Sequence, residues 1–450
     1  MCQSRTAVML GWMLSAAAST AQIRCLDDSV PAALTPPLTT PQAAAEGTPR
    51  DRLTALVRSA IERSHAVGAA TLLADAALRD IDEAAAAHEL QAGATLGLGP
   101  QGERSGRMSE GALLRFSGSI QVSMMMYDGG RTRRLVDWRT ELAEAARLGQ
   151  INTQEQVAAS TVALALERSR YRQQAQVYAQ QVRKMACLTQ ALESIVATDR
   201  GRASELVQAR KSLQTAELAQ AQAQSQVRQV EVRLRRMAGT DLPSPEGLAT
   251  AVLEIPSLPA ALADAAQSAQ IAQLSAQSAA ADNLAQSVEL STRPKLGWTL
   301  EGSAADGTGG LNLPPRTAAA GFTVSLNIPL RNPGIDAASD SARKRARAAM
   351  MQRDDALEAR RQRIAETHEQ TTATLDRARR LGTALRDSDQ LRNFTLQQWQ
   401  QLGRRSLFDV MSAEAEHYNL RVQYVNALHD AQQLNALVWS LSRGVWEWLR

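Results

Sequence analysis

Aromatic side chains are scarce, at 4% of the 450 residues, although 44% of the chain counts as hydrophobic. Alanine supplies much of that apolar share, which excludes a bulky aromatic core and favours long helices packed closely through small side chains. Histidine and cysteine are thin as well. The five histidines (His65, His88, His368, His417, His429) stand far apart with no HExxH pairing, and the three cysteines (Cys2, Cys25, Cys187) form no CxxC. Neither a zinc site nor a redox pair is signalled. There is no Walker loop, so no cofactor, no metal and no enzyme chemistry are expected. Lysine occurs only at Lys184, Lys211, Lys295 and Lys344, leaving arginine to carry the positive charge. Fifty basic residues against 46 acidic ones give a net +4, too small and dispersed an excess to point to nucleic acid.

The N-terminus has the features of an export signal. Arg5 precedes the apolar run AVMLGWMLSAAAS, with small residues around Ala21, so residues 1–21 are expected to be a cleaved signal peptide. Gln22-Ile23-Arg24 before Cys25 is not the small apolar context of an acylated cysteine. Beyond the signal no run of ~18 apolar residues occurs, so no helical membrane span is expected. Residues 22–50 carry proline at five positions after residue 26 and are expected to form a flexible arm.

The rest divides into two copies of one unit, 204 residues apart. Tyr127-Asp128-Gly129-Gly130 recurs as Arg331-Asn332-Pro333-Gly334, each following an alternating apolar run and opening a helical stretch. Leu206, Ala209, Leu213 and Ala216 keep a 3–4 spacing that recurs at Val410, Ala413, His417 and Leu420. Such a period imposes left-handed coiled packing. The predicted boundaries are repeat 1 at 51–238, a linker at 239–258 and repeat 2 at 259–450. Each repeat is expected to hold a first helix (51–88 and 259–290), a β-hairpin (92–127 and 295–330), a long helix (131–198 and 335–402) and a heptad helix. The linker is marked by the breaker cluster Gly239-Thr240-Asp241-Leu242-Pro243-Ser244-Pro245.

Phe116, Ile120, Val122 and Met124 alternate with Ser117, Ser119, Gln121 and Ser123; Phe322, Val324 and Leu326 alternate with Thr323, Ser325 and Asn327. That is a period of two with one apolar and one small polar face. The partner strands, Ala94–Leu98 and Lys295–Leu300, look shorter. Two soluble hairpins or membrane strands both fit this pattern. Four strands cannot close a barrel, and open sheet edges do not occur in lipid, so the membrane reading requires oligomerisation.

An export signal, tandem copies of helix, hairpin and coiled helical pair, and the run Gly403-Arg404-Arg405-Ser406-Leu407-Phe408-Asp409-Val410 together resemble the TolC-like outer-membrane efflux proteins over about residues 50–445. The resemblance implies a mainly α fold with a small β part. Long antiparallel helices would form a trimeric α-barrel, and four strands per protomer would join a shared twelve-stranded transmembrane β-barrel. It implies a homotrimer in the outer membrane with a long periplasmic extension, partnered by a periplasmic adaptor and an inner-membrane pump such as an ABC exporter. Asp409 and Arg405 match its periplasmic gate, where they would also form an i,i+4 pair, and Glu205 repeats Asp409 in the first copy. Gly201 and Gly403 match the helix-tip turns; Gly129, Gly130, Pro333 and Gly334 match the strand-to-helix turns. Ser412 and Gln400 depart from the family's acid and tyrosine. Trp399, Phe394 and Phe408 near the tip fit packing or an adaptor contact, and Trp439, Trp446 and Trp448 fit packing or an interfacial belt. The favoured function is the exit duct of a type I secretion system for an RTX-type cytolysin; alternatives are a duct for small-molecule efflux and a soluble periplasmic adaptor.

Overall fold

The computed structural model describes residues 48–101, 104–105, 108–109, 113–248, 254–308, 316–402 and 405–450; the expected signal peptide, nearly all of the arm and Gly403 lie outside them. Helices α1 (Pro49–Arg63) and α2 (His65–Ala85) lead to strand β1 (Gln91–Gln101), the short pair β2 (Arg104–Ser105) and β3 (Met108–Ser109), and β4 (Leu113–Tyr127). Then come α3 (Arg131–Thr198) and α4 (Ala203–Ala238). The series recurs as α5 (Leu258–Asp264), α6 (Ala269–Glu289), β5 (Lys295–Thr308), β6 (Arg316–Asn327), α7 (Pro333–Leu402) and α8 (Leu407–Leu441), followed by α9 (Val445–Leu449). The 204-residue offset holds to the residue at several element ends. α3 stops at Thr198 and α7 at Leu402; α4 starts at Ala203 and α8 at Leu407.

Two expectations are corrected. The single first helix of each repeat is broken. Ser64 takes an extended conformation (φ −73°, ψ 112°), ends α1, and accepts the Val67 N–H on its hydroxyl to start α2. Ser268 does the same work of interruption before α6 (φ −61°, ψ 144°). A serine hydroxyl offers the backbone an alternative to the helical bond, which is why breaks settle there. The partner strands are also longer than the alternation implies, with 11 residues in β1 and 14 in β5. Their outer parts are glycine- and alanine-rich, so they carry little hydrophobic pattern to read.

The four long strands form one antiparallel sheet in the order β1-β4-β5-β6, leaving β1 and β6 as open edges. The register places Leu98 opposite Phe116, Ile120 opposite Gly302, Val122 opposite Leu300, and Leu300 opposite Phe322. All of these share one face. It is exposed in the protomer: Leu96 76%, Ile120 62%, Phe322 65%. The opposite face carries Thr95, Ser117, Ser119, Gln121, Thr299, Ser303, Thr323 and Ser325. No helix among the described residues is long and apolar enough to cross a membrane.

Contacts divide the chain into two compact units. One comprises Tyr171–Gln226 and Leu381–Gln423; the other holds the described residues through Arg170 with Val227–Arg380 and Tyr424–Arg450. The second unit contains the sheet and an apolar core around Leu53, Val57, Val162, Leu166, Leu234 and Val445. Trp439, Trp446 and Trp448 pack against that core, which decides for packing over an interfacial belt. Burial along α4 recurs every seven residues, at Ala209, Ala216, Ala223 and Val230, the signature of a coiled seam. α8 is buried on several faces instead, and encloses polar residues including His417, His429 and Gln432.

Candidate functional site

Both heptad helices open with an acid in the first turn, Glu205 in α4 and Asp409 in α8. Unpaired N–H groups at a helix start favour a carboxylate there. Asp409 and Ser406 bond reciprocally. The Asp409 N–H donates to Ser406 Oγ (3.2 Å), and the Ser406 N–H donates to the Asp409 carboxylate (3.3 Å), which is a capping box. The expected i,i+4 pair of Arg405 with Asp409 is not formed. α8 begins at Leu407, so Arg405 precedes the helix, and its Nε donates to Gln398 Oε1 (3.2 Å) instead. Glu205 has a buried Oε2 without a hydrogen-bond partner among the described residues. No hydrogen bond or ion pair among the described residues brings Glu205, Arg405 and Asp409 together within the protomer.

Gly201 sits in the 3-10 turn Arg200–Arg202, where its N–H donates to Asp199 Oδ1 (3.0 Å). Its φ is not positive, so the Asp199 side chain, not glycine's freedom, holds this turn. Behind the acids, Met185, Leu188 and Leu192 of α3 meet Ala209 of α4 and Leu407, Val410 and Met411 of α8 in one apolar cluster, with Trp399 packed against it. Trp399 is therefore a packing residue. Phe394 and Phe408 remain 60% and 58% exposed.

This unit also holds a buried charge cluster that no motif in the sequence announces. Glu414 of α8 is 1% exposed and lies 3.4 Å from Lys184 of α3 and 3.3 Å from Arg392 of α7. Arg392 also reaches Asp389 at 2.7 Å. Three helices thus share a buried carboxylate. The available signal was the run of polar residues Glu414, His417 and Arg421 near the seam, together with a lysine in a lysine-poor chain.

The strand-to-helix turns are built differently in the two repeats. Gly129 and Gly130 have φ of 72° and 88°, a region costly to other residues. A Cβ on Gly129 would lie 2.4 Å from the Cβ of Arg293. Asp128 accepts from Gly130 N–H (3.0 Å) and Thr132 N–H (2.6 Å), while His88 Nε2 lies 3.5 Å away. Burial pushes the Asp128 carboxyl up, but the bonds from Thr132 and Gly130 outweigh it and hold it below the usual range. In the second repeat Asn332 accepts the Gly334 N–H (3.1 Å), Pro333 takes the first helical position, and Gly334 has no positive φ.

Residues 56–240 match the family model described as outer membrane efflux protein. No curated protein matches the chain. Among solved structures, the outer membrane protein VceC of Vibrio cholerae is 18% identical, with 88% of this chain and 96% of that one covered and a TM-score of 0.72. The CmeC outer membrane channel of Campylobacter jejuni is 13% identical, with 92% and 95% covered and a TM-score of 0.73. The MtrE outer membrane channel of Neisseria gonorrhoeae is 16% identical, with 88% and 90% covered and a TM-score of 0.69. At these identities the likeness is one of fold.

Proposed function

We propose that this chain is an outer membrane efflux protein and the exit duct of a tripartite export machine, a reading supported by the family match over residues 56–240 and by the fold. It sits in the outer membrane of a Gram-negative cell, assembles as a homotrimer, and works with a periplasmic adaptor and an inner-membrane pump. The observation that carries this reading is the sheet. One face is apolar and exposed, the other is small and polar, and both edges are open. In lipid an open edge leaves unpaired backbone groups at several kcal/mol each. Joining β6 of one protomer to β1 of the next removes the edges. Three copies give twelve strands with the apolar face toward lipid and the polar face around water. The duct itself is passive, and the pump supplies the energy.

Asp409, Arg405 and Glu205 are assigned to the periplasmic gate, where threefold symmetry would gather like charges around the axis. For the cargo we favour an unfolded RTX-type cytolysin handed over by an ABC exporter. The non-lipoprotein context of Cys25 supports it. The small-molecule reading is supported by the efflux description of the family model. Planar-bilayer conductance of the purified trimer tests the duct, and recovery in the soluble periplasmic fraction would overturn it. Deletion then separates the cargoes: loss of a protein from the medium supports secretion, while increased drug sensitivity with an unchanged medium supports efflux.

A further inference from the structure

The polar face of the sheet is almost uncharged. Among its described residues only Lys295, Glu301 and Arg115 carry a charge. Lys295 is the first residue of β5, Glu301 stands six residues on, and Arg115 pairs with Gly307 another six residues along. At ~3.3 Å per residue each interval is ~20 Å, beyond the ~8–10 Å over which salt lets exposed charges act on one another. Each charge therefore acts alone. Arg115 donates to Thr317 Oγ1 (3.2 Å), and Lys295 stands at the strand's start. Glu301 differs. It is exposed, and no hydrogen bond or ion pair among the described residues reaches it.

Its surroundings leave that carboxylate accessible. Glu301 lies between Gln121 on β4 and Gly321 on β6. A Cβ at Gly321, or at Gly93 beyond Gln121, would meet nothing within 4 Å. An acid kept in a wall of small neutral side chains serves no fold contact described, yet it projects into the space the cargo crosses. We propose that Glu301 is an acidic station midway along the barrel wall, a transient docking point for cationic groups of the cargo (guanidinium or ammonium side chains, or cationic small molecules). The station rests on the duct reading and is separate from the acids at the helix ends. Water-filled space lined by low-dielectric walls concentrates counter-charges near such a group.

The test places a reporter beside it. In Gly321→Cys trimers in outer-membrane vesicles, labelling of that cysteine by a cationic and by an anionic thiosulfonate is followed by mass spectrometry. The cationic reagent is expected to react faster, and Glu301→Gln to lower the cationic-to-anionic rate ratio by roughly threefold to tenfold. Glu301→Asp should keep the ratio, and Arg115→Gln, ~20 Å away, should barely move it. A labelled Cys with a ratio unchanged by Glu301→Gln overturns the station and leaves the duct standing. A Cys unreactive to both water-borne reagents overturns the duct reading of this face, and the station with it.

Discussion

The Lys184 ammonium lies 3.4 Å from the Glu414 carboxylate, with both side chains almost fully buried. Arg392 stands on the carboxylate's other oxygen at 3.3 Å, so helices α3, α7 and α8 are tied at one level. Removing one partner of a buried cluster is costly because it strands the remaining charges. Glu414→Leu alone is expected to cost about 3–5 kcal/mol. Adding Lys184→Met and Arg392→Leu should recover most of that loss, because an apolar set needs no desolvated charge. Thermal unfolding of the helical signal measures it, and a triple variant no more stable than Glu414→Leu would contradict the argument.

His429 is fully buried on α8 and bonds at both ring nitrogens. Nδ1–H donates to the Val425 carbonyl (2.8 Å), so Nε2 is the acceptor for the Ser169 hydroxyl (3.2 Å). Burial, with Arg170 nearby, lowers its pKa from 6.5 to about 4, against raising contributions from Val425 and Asp430. The folded state resists the proton that the unfolded state accepts. Stability should therefore be full above about pH 6.5 and decline as pH falls to about 4, by ~3 kcal/mol. His429→Gln should flatten that part of the stability-versus-pH curve; an unchanged slope would assign the acid sensitivity to other groups.

Much of the architecture was legible because it is periodic. The ends of α3 and α7, the heptad seam of α4 and the alternation of β4 and β6 are repeated signals, and the second copy checks each reading of the first. What escaped was carried by single side chains. Ser64 and Ser268 interrupt helices whose composition is otherwise continuous. Arg405 falls outside α8 because Ser406 and Asp409 cap that helix, and helical spacing alone cannot locate a cap. Glu414 looks like any surface acid until three helices are brought around it. Glu205 and Asp409 were legible as matching positions at the starts of α4 and α8, whereas the gate role proposed for them concerns the assembly.

Gly129 and Pro333 occupy equivalent places in turns of different build. Gly129 needs φ of 72° and has Arg293 against its α-carbon; Pro333 simply begins α7. Gly129→Ala should cost about 1–3 kcal/mol from strain, plus the displacement of Arg293. Pro333→Gly should cost no more than about 1 kcal/mol through the unfolded chain. Thermal unfolding of the helical signal compares them, and equal tolerance at the two positions would show that the left-handed turn is not needed.

Asp409 has two separable jobs. Its carboxylate accepts the Ser406 N–H at 3.3 Å, and its charge is assigned to the gate. Asp409→Ala removes both, with a capping loss of about 1 kcal/mol, and is expected to raise conductance and weaken block by multivalent cations added from the periplasmic side. Asp409→Asn keeps an oxygen for Ser406 and loses only the charge. If repulsion and cation binding at the axis set the gate, Asn should weaken block as much as Ala does. If α8 frays without its cap, Ala should leak while Asn behaves as wild type. Planar-bilayer recordings distinguish the two, and unchanged current with unchanged block in both variants would remove Asp409 from the gate, leaving it a helix cap.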